Sequence, residues 1–292
     1  YYTKGMVVDI PVLLECKTLL KYKVGPFSNF KSTARAPIAA MLATGKNPEQ
    51  TLDKALLVYK LLKREFWTSR YLPLTAMIIA QFVEPEKYEE VVARTRRIYN
   101  RIKKEHPFLT SSEDSANCAL LALSDKSDDE LIDDIEACYT ILKPKFFSSN
   151  AVQSLCHVLA LGQGSAEEKC RRTMEIFNCL KALGYKYGTT YELPALGVLA
   201  LTKAATANLV AEMIEINKWL SKQRGFGFFS SVSSKHRLMY AGVVALRDHI
   251  NVEATQTTTV NSMISIVLAY EAAMCAAISA SAAATTASSS SK

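Results

Sequence analysis

Glycine and proline are scarce in this chain, 11 and 9 among 292 residues. An all-β protein needs many tight turns, which those two residues supply, so the shortage argues for helices. Charge of a single sign is lacking too. The net charge is only +7, and the signs alternate: Lys60, Lys63 and Arg64 stand beside Glu65, and Glu89 and Glu90 beside Arg94, Arg96 and Arg97. Such alternation marks solvated helix faces rather than a nucleic-acid-binding stripe, so nucleic acid is not an expected partner. No Cys-x-x-Cys occurs among Cys16, Cys118, Cys138, Cys156, Cys170, Cys179 and Cys275. The adjacent Cys156 and His157 have poor geometry for two ligands of one ion, so neither a metal nor a cofactor is expected. An odd number of cysteines in apolar helical stretches reads as reduced, buried small hydrophobes in a cytoplasmic protein.

Catalytic signatures are missing as well: Gly-x-Ser-x-Gly, His-Glu-x-x-His and a phosphate loop are all absent, and no catalytic residue can be named. The most apolar helix-length run, 260–280, holds Glu271, Asn261 and several serines. That is too polar for a membrane span and fits a helix capping the array. The Ala/Ser/Thr-rich stretch 283–292 reads as a frayed tail after a single domain at 1–282. Because the chain opens at Tyr1 inside a helical pattern, a preceding N-terminal segment is expected.

What the sequence does contain is a period. An aromatic followed by aliphatics recurs near the end of charged segments, at Tyr59-Lys60-Leu61-Leu62, Tyr99-Asn100-Arg101-Ile102, Tyr139-Thr140-Ile141-Leu142 and Phe177-Asn178-Cys179-Leu180. A divergent copy ends at Leu220. The last aliphatics fall at 62, 102, 142, 180 and 220. A second landmark follows each: an aromatic turn with Ser or Thr, at Phe30-Lys31-Ser32-Thr33, Phe66-Trp67-Thr68-Ser69, Phe108-Leu109-Thr110-Ser111, Phe147-Ser148-Ser149, Tyr187-Gly188-Thr189-Thr190 and Phe228-Phe229-Ser230-Ser231. Then comes an apolar segment ending in alanine at 43, 80, 122, 160, 200 and 245. Two landmarks in phase imply about six αα-hairpins of roughly 40 residues.

In each hairpin the Ser or Thr of the turn is placed to cap a short helix that is apolar nearly all round and must be buried on most sides. A longer helix follows, opened by signals such as Asn47-Pro48-Glu49 or Ser165-Ala166-Glu167-Glu168. Its apolar residues keep one stripe, as Leu131, Ile135, Cys138 and Leu142 do. Stacked neighbours bury what one hairpin cannot. The fold class is therefore all-α, two helical layers of tandem hairpins. These close into an α/α toroid or run as an open α-solenoid, the toroid being slightly favoured by the Gly-Phe stretch at Gly225-Phe226-Gly227-Phe228.

Several of these segments together resemble a bacterial family of unknown function, DUF4003. They are Phe27-Ser28-Asn29-Phe30, Ser69-Arg70-Tyr71-Leu72 after Phe66, and Leu109-Thr110-Ser111-Ser112-Glu113-Asp114. Leu155-Cys156-His157-Val158-Leu159-Ala160-Leu161-Gly162, the Leu-Gly-Val-Leu-Ala core between Tyr191 and Ala200, and the Ala/Ser tail after Ala272 complete the set. The likeness covers nearly the whole chain. It implies a cytosolic bacterial protein and no particular activity.

Aligned on their alanines, the apolar segments carry Arg35, Tyr71, Glu113 with Asp114, Tyr191 with Glu192, and His236 with Arg237 eight or nine positions earlier. Helix N-termini gathered at one end would make a mouth of partly positive potential, where such residues could hold a ligand; as N-cap and first-turn residues they are equally ordinary. Glu113-Asp114 likewise fits a capping box. His157 stands where the other segments have Ala40, Met77, Ala119, Gly197 and Gly242, a tight place that suits a core histidine or a group facing a cavity. The leading expectation is a cytoplasmic binding scaffold for a protein or peptide. The rival is a toroidal enzyme or small-ligand receptor using these residues.

Overall fold

Acceptor side chains just ahead of the first helical turn start several of the helices. Asn47 Oδ1 accepts from Gln50 N at 3.2 Å with Pro48 next to it, and Ser165 Oγ accepts from Glu168 N at 3.2 Å. Ser127 and Glu130 bond reciprocally, Ser127 N to Glu130 Oε2 at 2.7 Å and Glu130 N to Ser127 Oγ at 3.2 Å. In the computed structural model the chain is described from residue 9 to 250, apart from 27, 33, 228, 229 and 231 and the side chains of 247–250. Cys275, the helix expected at 260–280, most of the aromatic turn at 228–231 and the tail at 283–292 lie outside the described residues.

The protein is all-helical, with no strand among the described residues. Long helices α1 (Ile10–Lys23), α3 (Pro48–Glu65), α5 (Tyr88–Glu105), α7 (Asp128–Leu142), α9 (Ala166–Ala182) and α11 (Thr206–Ser221) are 14 to 18 residues long. Between them lie α2 (Arg35–Ala43), α4 (Leu72–Phe82), α6 (Ser115–Ala122), α8 (Ser149–Ala160) and α10 (Leu193–Ala200), which have 8 to 12 residues. The last described helix, α12 (Ser234–Ile250), is longer at 17 residues. Contacts divide the chain into two compact units, Tyr1–Asp134 and Ile135–Lys292.

In the first unit α3 packs on α4, α5 on α6, and α4 on α6. All eight residues of α6 and the stretch Leu72–Ala80 of α4 are buried, as segments apolar on every face require. The long helices bury one stripe only: Leu52, Ala55, Val58 and Leu62 in α3, and Val92, Thr95, Ile98 and Ile102 in α5. The two aromatic landmarks touch one another. Phe30 meets Tyr59 and Phe66 meets Tyr99 edge to face, at centroid distances of 5.2 and 5.3 Å. Arg96 lies over both rings of the second pair, at 4.9 and 5.3 Å.

At the far end of the same helices, cations reach into the turn that follows the next short helix. Lys54 Nζ is 3.2 Å from Glu84 Oε2. Arg94 donates to Ala122 O, Ser124 O and Asp128 Oδ1, each at 2.9 Å, and also to Lys126 O. Burial pushes the Asp128 carboxyl up, but hydrogen bonding to Arg94 and the charges of Arg94 and Arg97 outweigh it and hold the group below its usual value.

In the second unit α8 packs on α10, α10 also on α9 and α12, and α11 on α12. Every residue of α10 is buried. Gly197 permits its close approach to α8, since a Cβ there would come 2.7 Å from Leu155 Cδ1. Phe146 meets Phe177 edge to face at 5.2 Å, and Arg172 donates to Ala204 O. Cys16, Cys118, Cys138, Cys156 and Cys170 are buried and Cys179 is half-buried.

One expectation fails in part. Serine caps α8 at Ser148, which accepts from Ala151 N, and α12 at Ser233, which accepts from His236 N at 3.1 Å, while Ser28 and Ser111 cap the 3-10 turns ahead of α2 and α6. Ahead of α2, α4 and α10 no side chain caps the helix. At α4 the Ser69 hydroxyl accepts from Tyr71 N instead, at 3.3 Å, so the turn is tied to itself.

Candidate functional site

The turns that lead from a long helix into the next short one hold Tyr71, Glu113, Asp114, Tyr191 and Glu192, while Arg35, His157, His236 and Arg237 lie within helices. In the first unit, Tyr71 precedes α4 and Glu113 and Asp114 occupy the 3-10 turn before α6. The Tyr71 hydroxyl donates to Glu113 Oε2 at 3.3 Å, and Thr75 Oγ1 and Ser115 Oγ are 2.9 Å apart, so the two turns lie side by side. Asp114 is only 2% exposed and completes a capping box, with Ser111 N donating to its Oδ2 at 2.7 Å. Burial raises its carboxyl to about 7. The Ser111 hydrogen bond opposes that rise, the Glu113 charge adds to it, and Lys103 lowers it slightly. A group so placed holds or releases a proton at neutral pH. Arg35, at the start of α2, is exposed and takes no place in this cluster.

In the second unit the site residues meet at Glu192. Its side chain lies almost wholly buried, 3.4 Å from His236 Nε2, and its Oε2 accepts from Thr190 N at 3.3 Å and Thr190 Oγ1 at 3.0 Å. Gly188 makes room for the carboxylate: a Cβ there would come 1.9 Å from Glu192 Cδ. Tyr191, next to it, is partly exposed. Arg237 turns elsewhere, donating from Nε to Asn217 Oδ1 at 3.1 Å and from Nη1 to Phe226 O at 2.7 Å. His157 is buried in α8 among Leu155, Cys156 and Val158, not on an exposed rim. Thus Tyr71, Glu113 and Asp114 come together, Glu192 and His236 come together, and Arg35 and Arg237 join neither group.

Sequence reasoning missed Thr75, Ser115 and Asn217, and took Gly188 and Thr190 only as parts of a recurring turn, not as the support of Glu192. It also missed which aromatics stay bare. In the first unit Trp67 is 92% exposed, next to the buried Phe66, and Phe108 is 99% exposed; in the second unit Phe147 is 99% exposed, next to the buried Phe146. Large apolar side chains left bare singly are ordinary, whereas Trp67 and Phe108 stand in the two neighbouring turns of the first unit and are a candidate contact patch there. Among the described residues no group of three or more His, Cys, Asp or Glu could hold a metal ion, and no helix is long and apolar enough to cross a membrane.

A family model described as a protein of unknown function (DUF4003) matches residues 1–273. No curated protein and no solved structure matches the chain.

Proposed function

The chain belongs to the DUF4003 family, and from that premise we propose that it is a binding scaffold for a protein or peptide partner, working in the cytoplasm. In this reading the helices form a two-layered array of tandem αα-hairpins. Support comes from the burial of the short helices on all sides while the long ones bury a single stripe. The observation that carries the scaffold over the enzyme is how the polar residues are spent. Asp114 caps its own turn, Glu192 is held by Thr190, and Arg237 is spread over Asn217 and a main-chain carbonyl. Groups engaged in this way fix the turns of a rigid platform.

The test places a photo-cross-linking amino acid at Leu57, which stands exposed on α3. Expression in the source organism should yield one discrete protein adduct. The Glu192–His236 pair keeps a second reading in view, a small-ligand receptor, because two of the nominated residues meet there from different turns. A small molecule that co-purifies with the wild type and is lost from both Glu192→Gln and His236→Gln, with no adduct at Leu57, would establish that reading instead.

A further inference from the structure

We infer that the turns carrying Trp67 and Phe108 form an edge that docks on an anionic lipid surface. The two turns are neighbours, tied by Tyr71 to Glu113 at 3.3 Å and by Thr75 to Ser115 at 2.9 Å. Each lifts one aromatic almost wholly into solvent, while the aromatic that serves the fold, Phe66, is turned inward onto Tyr99. Trp67 and Phe108 therefore contribute nothing visible to packing, and exposing them costs solubility.

Charge is sorted along the same helices. α3 and α5 begin with Glu49 and with Glu89 and Glu90, and end with Lys63 and Arg64 and with Lys103 and Lys104. The edge bearing the aromatics is thus the cationic one. Around it the five cations Lys63, Arg64, Arg70, Lys103 and Lys104 stand against the exposed Glu65 and Glu105 and the half-buried Glu113, Asp114 of the same turn being buried. Cations at helix C-termini also suit the backbone dipole, which accounts for their placement but not for bare aromatics among them.

The two features together select the occupant. Aromatic side chains settle at the headgroup level of a bilayer, and flanking lysines and arginines are drawn to an anionic leaflet. A folded acidic protein would need one apolar pocket for each ring at matching spacing, whereas a lipid interface yields around any protrusion. The second unit has a turn of the same make, Lys143-Pro144-Lys145-Phe146-Phe147, with Phe147 bare. No described helix can cross a membrane, so the contact envisaged is with the headgroup region.

The experiment uses the full chain carrying Trp219→Phe, which leaves Trp67 as the reporter. Vesicles of phosphatidylcholine with about 30% phosphatidylglycerol should co-sediment the protein and blue-shift its emission, and pure phosphatidylcholine should not. Arg64→Glu with Lys104→Glu should weaken binding at least tenfold, since each cation lost is worth about fivefold. Phe108→Ser should weaken it severalfold while leaving the melting curve unchanged. Equal binding to both vesicle types, no blue shift, or full binding by the charge-reversed variant would overturn the inference. So would binding to an acidic polypeptide or a dT oligonucleotide with none to vesicles. Leu57 lies within α3, outside the two turns, so either result can fail without the other.

Discussion

Replacing Asp114 by asparagine should abolish much of the loss of stability that this protein undergoes between about pH 5 and 8. The folded carboxyl sits near 7 against a usual 3.8, so the folded state holds the proton more tightly than the unfolded chain does. The stabilisation from protonation is therefore fully present below the unfolded value and disappears as pH rises through 7. A difference of about three pKa units at about 1.4 kcal/mol each gives a ceiling of about 4 kcal/mol. Asparagine keeps an oxygen to accept from Ser111 N, a bond of 2.7 Å in the wild type, and has no charge to bury. Urea unfolding at half-unit pH steps, wild type against Asp114→Asn, isolates the effect because the two chains differ in this one carboxyl alone. The stability difference should swing toward the variant by roughly 2–3 kcal/mol from pH 5 to pH 8, the rest of the ceiling being lost between about pH 4 and 5. Parallel curves would refute the reasoning, and would mean that Lys103 or solvent neutralises the carboxylate far better than its burial implies.

Two further outcomes concern stability. Arg94→Ala should cost about 2–4 kcal/mol in urea unfolding, since it strips the donors from three carbonyls and the chief partner from Asp128; Arg94→Lys should recover less than half, a single ammonium being unable to span them. Gly197→Ala should lie near neutral in thermal melts, its gain in helix propensity of about 1 kcal/mol offsetting the push against Leu155. Gly197→Val, with nowhere to place its methyls between Leu155 and Val158, should lose about 1–3 kcal/mol.

Helix, stripe and turn could be read from the residues because each depends on neighbours within a few positions. Leu52, Val58 and Leu62 are spaced for one face and are buried on it. What the long-range contacts decide could not be read. Phe66 and Trp67 are adjacent aromatics in one turn, yet one is buried and the other bare, because only Phe66 finds a ring opposite it, 33 residues on at Tyr99. The aligned polar positions were likewise only half informative. Neighbouring turns bring Tyr71 to Glu113 and His236 to Glu192, but Arg237 is drawn off by Asn217, a buried residue of α11 with no motif to announce it.

The side-chain bonds that tie neighbouring helices of the first unit share a property with consequences for how the protein is made. Lys23 to Asp53, Asn29 to Tyr59 and Lys54 to Glu84 each join residues 30 apart, and Arg94 reaches 34 residues to Asp128. Each new segment thus finds its partner in chain already synthesised. The ribosome can release these helices in order, with each pair settling on the last before the rest exists, and little apolar surface need wait for a distant mate.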